Sequence, residues 1–290
     1  MGVYVVGMHR SGTSAVAGLL SALGQLPAGR LAVPSNPDGQ WERPELRPAL
    51  ELLLAANRAT WAHPPPDGHT LRVPAPLSAY TARVFRRHAA DPFLWKDPRL
   101  CLTIDHWLGL AKGPAKVVVI HRRPTEVADS LAARNGWSPE QGLALWERTN
   151  RNAITRLAGR EVFVVDHGSL LANPAEMAAA LGGWLGLHEA ADQARAAATI
   201  TGPTGRSARS DGTRISELTD AQQALADRLA RSSGPTRLDL VDVGPESATT
   251  GPVLGSPSSI ELGRRAARAV WAMPRRHTVE IAGSPADPTA

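Results

Sequence analysis

The chain has 290 residues, 43% of them apolar, so it is long enough to bury a large core. Its 32 Lys and Arg against 27 Asp and Glu leave a net charge of +5, which suits an acidic ligand but, without aromatic interleaving, does not point to nucleic acid. The single cysteine, Cys101, excludes an internal disulfide, and with no membrane-length apolar run and no secretory leader pattern the expected location is cytoplasmic.

Val3 to Val6 has the length and β-branched content of a buried strand, and it stops at Gly7. A helix is expected from about Thr13, because Val16, Leu19, Leu20 and Leu23 recur at three- and four-residue spacing. Between the two lies Gly7-Met8-His9-Arg10-Ser11-Gly12-Thr13-Ser14. Gly12 can take positive φ, so several backbone N–H groups can converge on one anion, helped by the helix dipole and by nearby hydroxyls. The nearest general pattern is the Walker A loop, Gly-x4-Gly-Lys-[Ser/Thr], but Thr13 stands where its lysine would be. Arg10 is the only cation inside the loop, so the expected anion is something other than a nucleoside triphosphate.

A connection over 26–48 follows, with Asn36-Pro37-Asp38-Gly39-Gln40-Trp41-Glu42 inside it. Asn-Pro and Asp-Gly are turn signals, so Trp41 and Glu42 should emerge from a loop. Glu42 is a candidate general base or an ordinary solvated carboxylate. A helix is expected over 45–58, an irregular Pro- and His-rich excursion over 62–76, and a helix over 78–89. Phe93-Leu94-Trp95 reads as a strand ending in Lys96-Asp97-Pro98-Arg99, and open parallel sheets present ligands at such strand ends. After a helix over 100–110, Lys116 to Ile120 is the clearest buried strand, ended by His121-Arg122-Arg123-Pro124. Pro124, Glu126 and Asp129 suit the first turns of a helix over 125–134. The unit repeats the first strand, loop and helix, with arginines for glycines, and Arg122 and Ser130 are either a joint site for a second phosphate or a surface arginine and a helix-interior serine.

Ser138-Pro139-Glu140-Gln141 has the form of a capping box and opens a long amphipathic helix. Val162 to Val165 is another buried strand, ending at Asp166 and His167, and Asn173-Pro174 is read as a cap for a helix carrying Met177, Leu181, Trp184 and Leu185. From about Thr199 the pattern weakens. A loop over 202–211 holds Arg206 and Arg209, and a last helix is expected over 219–229. The expected organisation is one domain over 1–232 and a Pro/Gly/Ser-rich, largely disordered tail over 233–290. Within that tail, 260–273 reads as a short basic amphipathic helix with Arg264, Arg265, Arg268 and Trp271, able to dock on the domain, on a partner or on an anionic membrane surface.

Taken together, GMHRSGTS, NPDGQWE, WKDPRL, VVVIHRRPTEVADSL and VVDHGSLLANP resemble, in this order and over roughly 3–187, the PAPS-dependent sulfotransferases of the bacterial type related to carbohydrate and tyrosyl-protein sulfotransferases. The resemblance implies a P-loop-type α/β fold, a three-layer α/β/α sandwich around a mostly parallel sheet. It implies that PAPS is the sulfuryl donor, with Arg10, Ser11, Gly12, Thr13 and Ser14 around its 5′-phosphosulfate and Arg122 and Ser130 on its 3′-phosphate. Arg10 stands where relatives carry a catalytic cation, Lys96 is a second candidate for that task, and Glu42 is the base implied by the tyrosyl-protein branch, with His63, His69, His106 and His167 as competitors. A small-molecule or glycan acceptor is implied, with a hydroxyl on a sugar or glycosylated metabolite favoured. No metal is required. A P-loop small-molecule kinase using ATP, or a non-catalytic module that binds PAP or a partner, are the alternatives.

Overall fold

A computed structural model describes residues 1–24, 41–89, 93–201, 217–240 and 243–271. The loop with Arg206 and Arg209, and the turn over 36–40, lie outside the described residues.

Five strands form one sheet in the order β2-β1-β3-β4-β5: β1 (Gly2–Val6), β2 (Phe93–Lys96), β3 (Ala115–His121), β4 (Glu161–Asp166) and β5 (Gly234–Arg237). The first four run parallel, and β5 pairs antiparallel with β4, Phe163 lying opposite Pro235. Alternate side chains of each buried strand enter opposite cores. Tyr4, Val6, Val117, Val119, Val162 and Val164 point to one face, Val3, Val5, Val118, Ile120, Phe163 and Val165 to the other.

The second face is covered by α1 (Thr13–Gly24), α7 (His167–Ala172), α8 (Pro174–Leu185) and α9 (Ala190–Thr201). The first is covered by α2 (Arg47–Ala56), α3 (Ala75–His88), α4 (Ile104–Leu110), α5 (Pro124–Asn135), α6 (Pro139–Leu157), α10 (Asp220–Ala230) and α11 (Thr250–Leu254). A last helix, α12 (Ser259–Trp271), packs on α2. The result is the expected α/β/α layering around a mostly parallel sheet.

Local chemistry explains most boundaries. Pro124 opens α5 and Gly136 closes it in the left-handed region, while Ser138 and Gln141 form a reciprocal capping box at α6. The expected cap at Asn173 makes no side-chain bond, and α8 opens on Pro174 without one, whereas Asp166 caps α7 by accepting from the Ser169 N–H. The expected helix over 100–110 is split, with a tight 3-10 turn over Pro98–Leu102 before α4, because Asp97 accepts from the Arg99 N–H and tightens the first turn.

The expectation of disorder after 232 does not hold over 234–240 and 243–271, which carry β5, α11 and α12. β5 closes one edge of the sheet, and α6 holds the segment that follows it. Glu147, fully buried, accepts from the Ser247 N–H at 2.8 Å, the Thr250 hydroxyl at 2.7 Å and Arg151 at 3.2 Å. Arg151 also donates to the Gly244 and Pro245 carbonyls, and Arg148 makes a two-point pair with Glu246. The Pro/Gly composition hides this order because the anchoring groups are polar and lie nearly a hundred residues upstream on another helix. Residues 272–290 lie outside the described residues.

Candidate active site

The carboxyl ends of β1, β2, β3 and β4 lie along one edge of the sheet, and they carry the polar side chains that the sequence singles out. The loop after β1 approaches its neighbours closely: a Cβ on Gly7 would lie 2.6 Å from the Ile120 side chain and 2.7 Å from its carbonyl oxygen. Gly12 has φ +90°, and a Cβ there would overlap the His167 ring. The loop therefore tolerates only glycine at both ends.

Arg10 takes φ +71°, a left-handed conformation that is unusual for a long side chain. Two bonds hold it there. Its Nε donates to Ser130 Oγ at 2.8 Å, and its carbonyl accepts from Arg122 Nη1 at 3.2 Å. The two candidate phosphate elements, 120 residues apart in sequence, are thus joined at one point. Arg122 also donates from Nε to Glu126 Oε2 at 2.7 Å, and the Trp146 indole N–H, bonding to the Arg122 carbonyl at 3.0 Å, fixes the strand end that carries it. Burial, then Arg134 and Arg122, lower the pKa of Arg10, so the cations crowd one another. Ser11 is fully buried, and its hydroxyl has no hydrogen-bond partner among the described residues. Thr13 is buried beside it, and Ser14, in the first turn of α1, is half-buried.

Lys96 ends β2 and is 2% exposed, with its ammonium donating to Glu42 Oε1 at 3.1 Å. Burial lowers the lysine pKa, while Glu42 and then Asp97 oppose that shift. Glu42 does emerge from an irregular segment. Trp41, itself at φ +56°, lies against α1 beside Gly18, and Arg43 donates to the Leu94 and His88 carbonyls. Arg99 is spent on structure, paired with Asp97 at 2.8 Å and Glu51 at 2.7 Å.

Of the competing histidines, His63 bonds to Thr60, His69 to Asn57 and His106 to Thr81, all as parts of the scaffold. His167 is at the cradle, but burial and then Arg122 push its pKa down to about 4, which makes it neutral near pH 7. His9 is the residue that sequence reasoning misses. It packs tilted against Trp61 with ring centroids 4.5 Å apart, and Trp61 stacks on Trp137 at 5.3 Å. Burial, then Arg99, Lys96, Arg134 and Arg47, hold its pKa well down, so a neutral ring faces the cations. Its only sequence signal is adjacency to Arg10.

A cavity of about 480 Å³ opens beside Arg122, lined in part by His121, Thr125, Asp166, Ser169 and Gln223. Among the described residues no cluster of His, Cys, Asp or Glu is arranged to hold a metal ion, and no helix is long and apolar enough to cross a membrane.

The model of the sulfotransferase family matches residues 2–192, two thirds of the chain and the whole of the edge just described. The chain belongs to the sulfotransferase family and is a sulfotransferase-family enzyme. Among curated proteins none matches the sequence. Solved structures similar to it include the sulfotransferase domain of the Synechococcus olefin synthase, 17% identical over 94% of this chain and 96% of that one, with a TM-score of 0.41. Sulfotransferase STF1 of Mycobacterium tuberculosis is 17% identical over 68% and 70%, with a TM-score of 0.44, and the sulfotransferase domain of the curacin biosynthetic pathway is 13% identical over 94% and 98%, with a TM-score of 0.42.

Proposed function

We propose that the enzyme transfers the sulfuryl group of PAPS to an acceptor hydroxyl, with a sugar or glycosylated metabolite the favoured acceptor, and that Arg10 is the central cation of the reaction. The family implies PAPS, and the residues present fit it. A buried hydroxyl without a partner at Ser11 among the described residues, glycines where side chains would collide, and cations crowding Arg10 make a cradle suited to an anion. Ser11, Gly12, Thr13 and Ser14 would hold the 5′ end of the donor. Arg122 and Ser130 would hold its 3′-phosphate, with the cavity beside Arg122 for the nucleoside.

When bound, PAPS supplies an activated sulfuryl group and a phosphate leaving group. Arg10 and Lys96 would stabilise the negative charge that grows on the departing oxygen, and would do so more in the transition state than before it. Glu42 would take the proton of the acceptor hydroxyl as its oxygen bonds to sulfur and the bond from sulfur to phosphate breaks. The 3.1 Å pair with Lys96 couples these tasks: as Glu42 becomes neutral, the Lys96 charge is released from its partner and turned to the leaving group.

The observation that carries the reading is the 2.8 Å bond from Arg10 to Ser130, which brings the loop after β1 and the helix after β3 to one point. The test is incubation of the enzyme with PAPS and an extract of the source cells, with mass spectrometry for a sulfated product. PAP is expected to bind without magnesium. Tight magnesium-dependent binding of ATP with no binding of PAP would overturn the proposal.

A further inference from the structure

We propose that the groove between α2 and α12 binds a negatively charged group of the acceptor, so that the substrate is a hydroxyl compound already carrying a phosphate, carboxylate or sulfate. The inference rests on the sulfuryl-transfer reading and names its substrate class.

The groove has a volume of about 610 Å³, and Arg47, Arg264, Arg265 and Arg268 line it together with Glu51 and Glu261. The two carboxylates do not neutralise the four cations. Both face Arg265, Glu261 at 3.1 Å and Glu51 at 3.6 Å, and Glu51 is shared with Arg99. Arg47, Arg264 and Arg268 have no ion-pair partner among the described residues. Arg47 is also placed against local preference. It opens α2, where the helix dipole disfavours a cation, and no acidic residue stands in that first turn to offset it. The helix gains nothing from an arginine there, whereas an anion in the groove does.

A second observation points to a ligand. Glu51 is 9% exposed, and its Oε2 makes no hydrogen bond among the described residues, facing only Arg265 Nη1 at 3.6 Å. An ion pair at that distance leaves the oxygen able to accept a hydrogen bond, which a hydroxyl of the occupant would supply beside the cluster of guanidiniums.

The groove lies near the candidate active site. Pro44, in its wall, is two residues beyond Glu42. Arg47 acts electrostatically on His9, and Glu51 binds Arg99 three residues beyond Lys96. A molecule with its reacting hydroxyl at Glu42 would therefore extend its other end toward Arg47 and α12. The far wall belongs to α12, which lies outside residues 2–192 that match the family.

The test is calorimetric titration of the full chain, saturated with PAP, by 1-naphthyl phosphate and by neutral 1-naphthol. The phosphate is expected to bind at one site, and Arg264→Gln combined with Arg268→Gln to weaken it at least about tenfold while PAP affinity stays unchanged. No binding of 1-naphthyl phosphate, equal binding by the variant, or equally tight binding of 1-naphthol would overturn the proposal. In the extract incubation every sulfated product should carry a second ionised group, and products that were neutral before transfer would overturn it as well. Failure of PAP to bind the unaltered chain counts against the sulfuryl reading instead, and the titration without PAP then still decides the groove.

Discussion

Lys96 and Glu42, 54 residues apart in sequence, meet at 3.1 Å, with the lysine 2% and the glutamate 15% exposed. A buried ammonium depends on its carboxylate, so Glu42→Gln removes the proposed base and also strips the group that keeps Lys96 charged. Turnover should fall at least about tenfold. The alkaline limb of the kcat profile should move to lower pH than in the unaltered enzyme, because burial already lowers the Lys96 pKa and Glu42 opposes it. The stability linkage has the same origin. Between the lowered folded value and the ordinary 10.5 the unfolded chain binds more protons, so this group's contribution to stability rises with pH across that window. A pH–rate series checks the coupling, and an unmoved limb would separate the two residues.

Arg10 combines strain with charge. Arg10→Ala should lower turnover at least about tenfold, a barrier change of about 1.4 kcal/mol. Arg10→Gly makes the sharper comparison. Glycine adopts φ +71° freely, so stability should rise by about 1 kcal/mol while turnover falls, measured by urea unfolding beside steady-state kinetics.

For donor binding, Arg122→Ala should weaken PAP at least about tenfold, since charge-assisted bonds to phosphate contribute about 1.5–3 kcal/mol. Glu42→Ala should weaken it far less. Glu126→Gln is the informative partner: it releases the Arg122 Nε now held at 2.7 Å, and PAP should bind more tightly to it than to the unaltered chain. Titration calorimetry without magnesium distinguishes all three.

The neutral His167 predicts acid sensitivity. Its folded pKa of about 4 lies below the ordinary 6.5, so the unfolded chain binds the extra proton first as pH falls. Stability present above pH 6.5 should be lost progressively toward pH 4, on the order of 3 kcal/mol for a ring that is almost fully buried. His167→Gln should flatten the slope in that window, read from unfolding midpoints at successive pH values.

The buried network on α6 makes a separate prediction about the fold. Glu147→Ala leaves Arg151 without its buried carboxylate and frees Ser247 and Thr250, so the loss should be about 3–5 kcal/mol. Hydrogen exchange should increase first in 243–254.

Much of the candidate site is legible because backbone rules write it into short stretches. A β-branched run, two glycines and a three-four apolar spacing place Arg10, and the same logic at Ile120 and Pro124 places Arg122 and Ser130. Lys96 follows from a strand end. Other parts depend on distant partners. His9 gains meaning only from Trp61 and Trp137, which come from segments without periodicity. The helix over 190–201 presents small residues to α1, with Ala196 and Ile200 buried, and alanine gives little contrast between faces. The role of α12 needs α2 beside it, because an arginine-rich amphipathic stretch reads equally well as an arm for a partner or a membrane.

The last strand has a bearing on how the molecule behaves among its own copies. β5 is four residues long, Gly234-Pro235-Thr236-Arg237, and it forms one border of the sheet. Pro235 has no N–H to offer, and Arg237 donates its side chain to the Gly159 carbonyl at 2.8 Å. An incoming strand would find a short row of donors with one missing and a guanidinium at its end. The weak β-forming composition that hides this strand in the sequence thus makes the border a poor template for strand addition, and it protects a concentrated solution of the enzyme from aggregating there.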